Sequence, residues 1–118
     1  MKCSQILALL PAVVSLSCYD GPYACDTSAQ AGLVITVTQG INGPVLCDAD
    51  VTVSDGATSE KVSAQGSPCT YSTAYEKPGT YTVVAAKSGA KSTTKVGIVV
   101  TKGECHVEAQ NVMLVLEF

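Results

Sequence analysis

From residue 32 onward, hydrophobic and polar positions alternate in short runs, and no stretch holds a helical period over three turns. In GLVITVTQ (32–39), Leu33, Ile35 and Val37 fall on one face and Val34, Thr36 and Thr38 on the other. ADVTVSDG (49–56), SEKVSAQ (59–65) and CTYSTAYE (69–76) follow the same period. In the last of these, Tyr71, Thr73 and Tyr75 share a side. GTYTVVAAK (79–87) sets Tyr81, Val83 and Ala85 against Thr82, Val84 and Ala86. STTKVGIVVTK (92–102) and CHVEAQNVMLVLEF (105–118) complete the series, the latter aligning Val112, Leu114, Leu116 and Phe118. Val and Thr dominate, and β-branched side chains suit a pleated surface. GINGP, SDG, QGSP, EKPGT, KSGAK and TKGE separate the runs. Lys77-Pro78-Gly79-Thr80 predicts a type II turn, with Pro78 fixing the first central residue and Gly79 taking the positive φ of the second. About seven short strands with turns at these intervals predict an all-β chain folded as a β-sandwich.

The first 17 residues have a different grammar. Lys2 supplies a positive start, Ile6 to Val14 an apolar run, and small residues follow. That is the pattern of a secretory signal, and the run is too short for a span, which needs about 20 apolar residues. Cysteine usage then changes the picture. Of the 6 cysteines, Cys3 leaves with the leader, and Cys18, Cys25, Cys47, Cys69 and Cys105 remain. Export favours disulfides. An ordinary cut after Ser17 leaves an odd number; consumption of Cys18 by a lipid leaves four that can pair fully, in three alternative connectivities. The stretch Ser15-Leu16-Ser17-Cys18 resembles a bacterial lipobox, in which the cysteine becomes the first mature residue after a small one. It departs from that pattern in having Ser15 where Leu is preferred, and Ser15-Leu16-Ser17 also suits the ordinary peptidase. The chain is therefore expected to hold a signal peptide (1–17), a lipidated Cys18 with a tether to residue 29, and a domain over 30–118. A soluble secreted form is the alternative.

Composition narrows the function. The 118 residues suit one domain, charged residues make up 14%, the net charge is -3, and Arg is absent. A partner nucleic acid calls for a basic surface, so that class is set aside. The one histidine, His106, stands beside Cys105, but neighbours on a strand point to opposite faces, which predicts a surface histidine next to a disulfide rather than a thiol–imidazole pair. No nucleophile elbow, phosphate loop or zinc helix is present, so the chain is expected to be no enzyme and to need no cofactor. Asp48, Asp50 and Asp55 offer the oxygen ligands that Ca²⁺ requires, yet they read first as solvated turn acids. Lys87, Lys91 and Lys95 read as guards of a strand edge, with contact to anionic polysaccharide or lipid headgroups as the functional counterpart. Tyr71 and Tyr75 are the one pair able to form a stacking platform, and Tyr71 reads as core.

GPVLCDADVTVSDG, an aromatic strand, and then EKPGTYTVVAAKSG resembles the carboxypeptidase regulatory-like domain, a family with a prealbumin-like (transthyretin-like) sandwich. Pro44, Ala49, Val51, Val53, Tyr71, Pro78, Gly79, Tyr81 and Val83 carry the likeness, which spans about residues 30–117. GECHVEAQNVMLVL looks like the ending of small bacterial lipoproteins that carry this domain alone, and Ser88-Gly89-Ala90 departs from the Gly-Tyr of many members. The resemblance implies a spacer or recognition module, expected at the cell envelope with an envelope protein or polysaccharide as partner. A small periplasmic inhibitor or accessory subunit of an enzyme is the alternative from a different class. The resemblance also implies that first and last strands run side by side and parallel, which brings Cys25 to Cys105 and leaves Cys47 for Cys69.

Overall fold

The computed structural model describes residues 25–118. The signal segment, Cys18 and the tether up to residue 24 lie outside the described residues. Nine strands form among the described residues: β1 Leu33–Gln39, β2 Asp50–Ser54, β3 Ser59–Val62, β4 Ala64–Gln65, β5 Thr70–Thr73, β6 Gly79–Ala86, β7 Thr93–Lys102, β8 Val107–Glu108 and β9 Gln110–Leu116. They make a four-stranded sheet, β4-β5-β1-β9, and a five-stranded sheet, β3-β2-β6-β7-β8. The described chain is an all-β sandwich.

The seven alternating runs become nine strands because two of them change sheet. β3 pairs with β2 in one layer, and after a break at Ser63 β4 pairs with β5 in the other. Likewise β8 pairs with β7, and after Ala109 the chain enters β9 beside β1. Such corners let one run of sequence contribute to both layers. β1 and β9 are parallel over their whole lengths, Leu33 opposite Gln110 through Gln39 opposite Leu116.

Inward positions match the alternation. Leu33, Ile35 and Val37 of β1, Tyr71 and Thr73 of β5, and Val112, Leu114 and Leu116 of β9 are buried. They face Val51, Val53, Tyr81, Val83, Ala85 and Val100 of the second sheet. Thr73 Oγ1 donates to Glu60 Oε2 at 2.6 Å, which satisfies a buried hydroxyl between the layers. Two aromatics depart from expectation. Tyr75 is half exposed because β5 ends at Thr73, and Phe118 is exposed because β9 ends at Leu116.

The turn also moves. Gly79 opens β6, and the positive φ falls three residues earlier, at Glu76 (52°), with Ala74 at 58°. Lys77 N–H donates to Ala74 O at 3.2 Å, so Ala74–Lys77 forms the turn, with a glutamate in the position that sterics reserve for glycine. Gly32 shows why the chain needs no side chain there: a Cβ would lie 2.7 Å from Ala74 O and 2.8 Å from a Val100 methyl.

β7 carries a bulge, two residues (Val96 and Gly97) against Thr82 of β6, with Gly97 at φ 71°. Only Thr101 and Lys102 of β7 pair outward, with β8. The bulge and Lys95 break the remaining edge, in the manner by which sheets resist edge-to-edge association.

Candidate functional site

Both disulfides implied by the resemblance are present: Cys25–Cys105 and Cys47–Cys69. Cys25 precedes β1 and Cys105 precedes β9, so the parallel pairing of these strands puts the two cysteines at the same end of the sandwich. The second bridge ties the segment before β2 to the start of β5. Beside it, Tyr71 Oη donates to Leu46 O at 2.8 Å and accepts from Ala49 N–H at 3.0 Å. Burial pushes the Tyr71 phenol above its ordinary value. Tyr71 is thus a packing residue with a satisfied hydroxyl, and with Tyr75 on a separate, exposed turn no stacking pair forms.

The three aspartates are held apart by separate partners. Asp48 accepts from Lys87 Nζ at 2.7 Å, and that hydrogen bond lowers its carboxyl pKa. Asp50 accepts from Lys61 Nζ at 3.2 Å, across β2 and β3. Asp55 Oδ1 accepts from the backbone N–H of Thr58 and of Ala57 and from Thr58 Oγ1, and these bonds, the Thr58 N–H foremost, lower its pKa. It closes the Ser-Asp-Gly turn as turn aspartates do. Among the described residues no group of three His, Cys, Asp or Glu side chains is placed to hold a metal ion. Titration with Ca²⁺ in a calorimeter is expected to give no binding heat and no rise in melting temperature. Saturable heat together with stabilisation would show that these carboxylates reorganise into one site.

The basic residues divide in the same way. Lys87 is committed to Asp48, and Lys91 is fixed through its backbone, its N–H donating to Glu117 O at 3.0 Å. Of Lys87, Lys91 and Lys95, Lys95 is the one on a strand, at the open part of β7.

The densest polar cluster is one that sequence spacing does not reveal. His106 Nδ1 meets Glu76 Oε2 at 2.5 Å, and its Nε2 meets Asp26 Oδ1 at 3.0 Å. Glu76 also accepts from Gln30 N–H at 2.8 Å and from Val107 N–H at 3.2 Å. The Gln30 N–H, before any other cause, holds the Glu76 carboxyl below its ordinary pKa. Asp26 is lowered chiefly by Ser28, whose hydroxyl and N–H both donate to Oδ1. The Glu76 carboxylate raises the imidazole pKa of His106. Three segments meet here: the lead-in 25–30, the turn after β5, and the loop before β8. His106 is therefore no bare surface residue, its side chain being only 23% exposed. Cys105 is consumed in its disulfide, so the adjacent pair offers no thiol nucleophile.

Charge is distributed unevenly between the layers. The strands of the four-stranded sheet carry no Asp, Glu, Lys, Arg or His, whereas those of the other sheet hold Asp50, Glu60, Lys61, Lys95, Lys102 and Glu108. The outward positions of the uncharged sheet include Val34, Thr36, Ser72, Asn111, Met113 and Val115. Neither the family models nor the curated proteins compared with the chain match it.

Proposed function

We propose that the protein is a non-catalytic module of the bacterial cell envelope, held at the outer membrane or cell surface by acylation of Cys18, with a structural or recognition role. The observation that carries this reading is the pairing of Cys25, Cys47, Cys69 and Cys105 among themselves. It leaves none of the four available to Cys18, which stands at the end of an export-signal pattern. Two or three acyl chains on that residue make attachment effectively permanent, since each buried methylene contributes about 0.8 kcal/mol. The parallel pairing of the first and last strands supports a carboxypeptidase regulatory-like, prealbumin-like sandwich.

The arrangement suits a spacer or recognition module. The lead-in joins the domain at the end where β1 and β9 both begin. Ile41 and Phe118, both exposed, lie beyond the other end of the same strands, about 20 Å away at the usual rise per residue. A tether at one end thus leaves the far end and the uncharged sheet free to meet an envelope protein or polysaccharide.

Intact mass of protein from the membrane fraction tests the anchor. The expected mass is that of a chain beginning at residue 18 with acyl groups on Cys18, and Cys18→Ser is expected to move the protein to the soluble fraction. A soluble chain with an unmodified thiol would establish instead the freely secreted form. Capture of an envelope enzyme, with loss of its activity on binding, would assign the role of inhibitor or accessory subunit.

A further inference from the structure

We infer that residues 26–29 form a proton-gated strap, closed across His106 when the imidazole is charged and released when it is neutral. Both ring nitrogens face carboxylate oxygens, Glu76 on Nδ1 and Asp26 on Nε2. A carboxylate only accepts, and a neutral imidazole has one N–H to give. Only the imidazolium serves both partners. Once the ring loses a proton, one nitrogen lone pair faces a carboxylate, and that contact turns from attractive to repulsive.

The geometry selects which arm lets go. Glu76 is held by Gln30 N–H, Val107 N–H and its own turn, and its N–H returns a bond to Gln30 O at 3.0 Å. Its side chain is 34% exposed, against 67% for Asp26. Asp26 has local replacements in the Ser28 hydroxyl and N–H, so it loses little by leaving the ring. The single N–H of neutral His106 therefore stays with Glu76, and Asp26 departs. Movement is bounded on both sides. Cys25 is fixed by its bridge to Cys105, and Gln30 is fixed by its two bonds with Glu76. What loosens is Asp26-Thr27-Ser28-Ala29, a strap between two fixed points at the junction through which the preceding chain enters the domain. This holds whatever residue 18 carries.

Asp26 comes from the lead-in and Glu76 from the turn after β5. The neighbouring segments add Lys77, Lys102, Glu104 and Glu108; none of these hydrogen-bonds the ring. The Glu108 carboxylate lies instead along Gly103. The signs define a window. The imidazole pKa is raised, so its contribution is present at low pH and lost as pH rises through the folded value. Those of Asp26 and Glu76 are lowered, so theirs is lost as pH falls through their folded values. The strap is closed between the two.

The chain has 1 histidine, so its imidazole signal in a proton NMR titration of the purified exported protein belongs to His106. The midpoint is expected above the free-imidazole value of about 6.5, and Asp26→Asn, a change at an exposed side chain, is expected to bring it down. Across the same titration the amide order parameters of residues 27–29 are expected to fall from near ~0.85 towards ~0.6, while those of Gln30 and Val107 hold. An ordinary midpoint that Asp26→Asn leaves in place would overturn the strap. So would order at residues 27–29 that is unchanged on both sides of the His106 midpoint.

Discussion

With Cys25 and Cys105 both replaced by serine, the domain is expected to lose about 4.5 kcal/mol of stability, the larger of the two disulfide effects. The bridge joins residues 80 apart in sequence and so closes a loop over most of the described chain. In the chain-entropy account the cost of freeing such a loop falls on the unfolded state and grows with the logarithm of its length. Cys47–Cys69, with a separation of 22, is expected to contribute about 3.4 kcal/mol on the same relation. For a domain of this size each kcal/mol moves the melting temperature by roughly 4–8 °C, so the first double substitution should lower it by about 20–35 °C. The native pairing of β1 with β9 does not depend on the bridge, since seven residues of parallel register remain. A folded but much less stable variant is therefore expected, and thermal unfolding followed by circular dichroism checks it. A melting temperature within a few degrees of the parent would mean that the unfolded chain gains little freedom from the cut.

The same bridge shows which parts of the molecule the sequence exposes and which it hides. Alternation reports the face on which a residue lies, because a strand has a period of two wherever it sits. Leu33, Ile35, Val37, Val112, Leu114 and Leu116 are accordingly inside. Alternation does not report the sheet to which a strand belongs. Val62 and Ala64 keep the period unbroken, yet they sit in different layers, and only the pairing partners of β3 and β4 distinguish them. The turn after β5 was hidden for another reason. Pro78-Gly79 is a strong local signal, but Glu76 takes the positive φ, and its carboxylate bonds to Gln30 N–H, Val107 N–H and His106 compensate for a conformation that a non-glycine residue adopts at a cost. The Asp26–His106 and Glu76–His106 contacts span 80 and 30 residues, so no window of sequence contains them. Cys25 and Cys105 were the available clue: any pairing of first and last strands that joins them also joins their neighbours Asp26 and His106.

Truncation of Tyr71 is expected to be the most damaging single change among the described core residues. Its side chain is 1% exposed and lies in the central cluster, and removing a buried aromatic down to alanine costs about 3–5 kcal/mol through lost burial and the cavity left behind. Tyr71→Phe separates the packing from the hydroxyl. The ring stays, but the buried Ala49 N–H loses its acceptor and the part-buried Leu46 O its donor, both supplied by the one Tyr71 oxygen. An unsatisfied buried donor costs about 1–3 kcal/mol, so the phenylalanine variant should fall between the parent and the alanine variant in a denaturant melt. The Cys47–Cys69 bridge fastens the same crossover to the same strand, two residues from Tyr71. The two ties therefore share their effect: with the crossover already released by Cys47→Ser and Cys69→Ser, Tyr71→Phe should cost measurably less than it does in the parent. A double-mutant cycle reads the difference directly, and contacts of this closeness ordinarily couple by about 0.5–3 kcal/mol. Strict additivity would mean that the hydroxyl and the disulfide hold the crossover independently, with Leu46 and Ala49 kept in place by the hydroxyl alone.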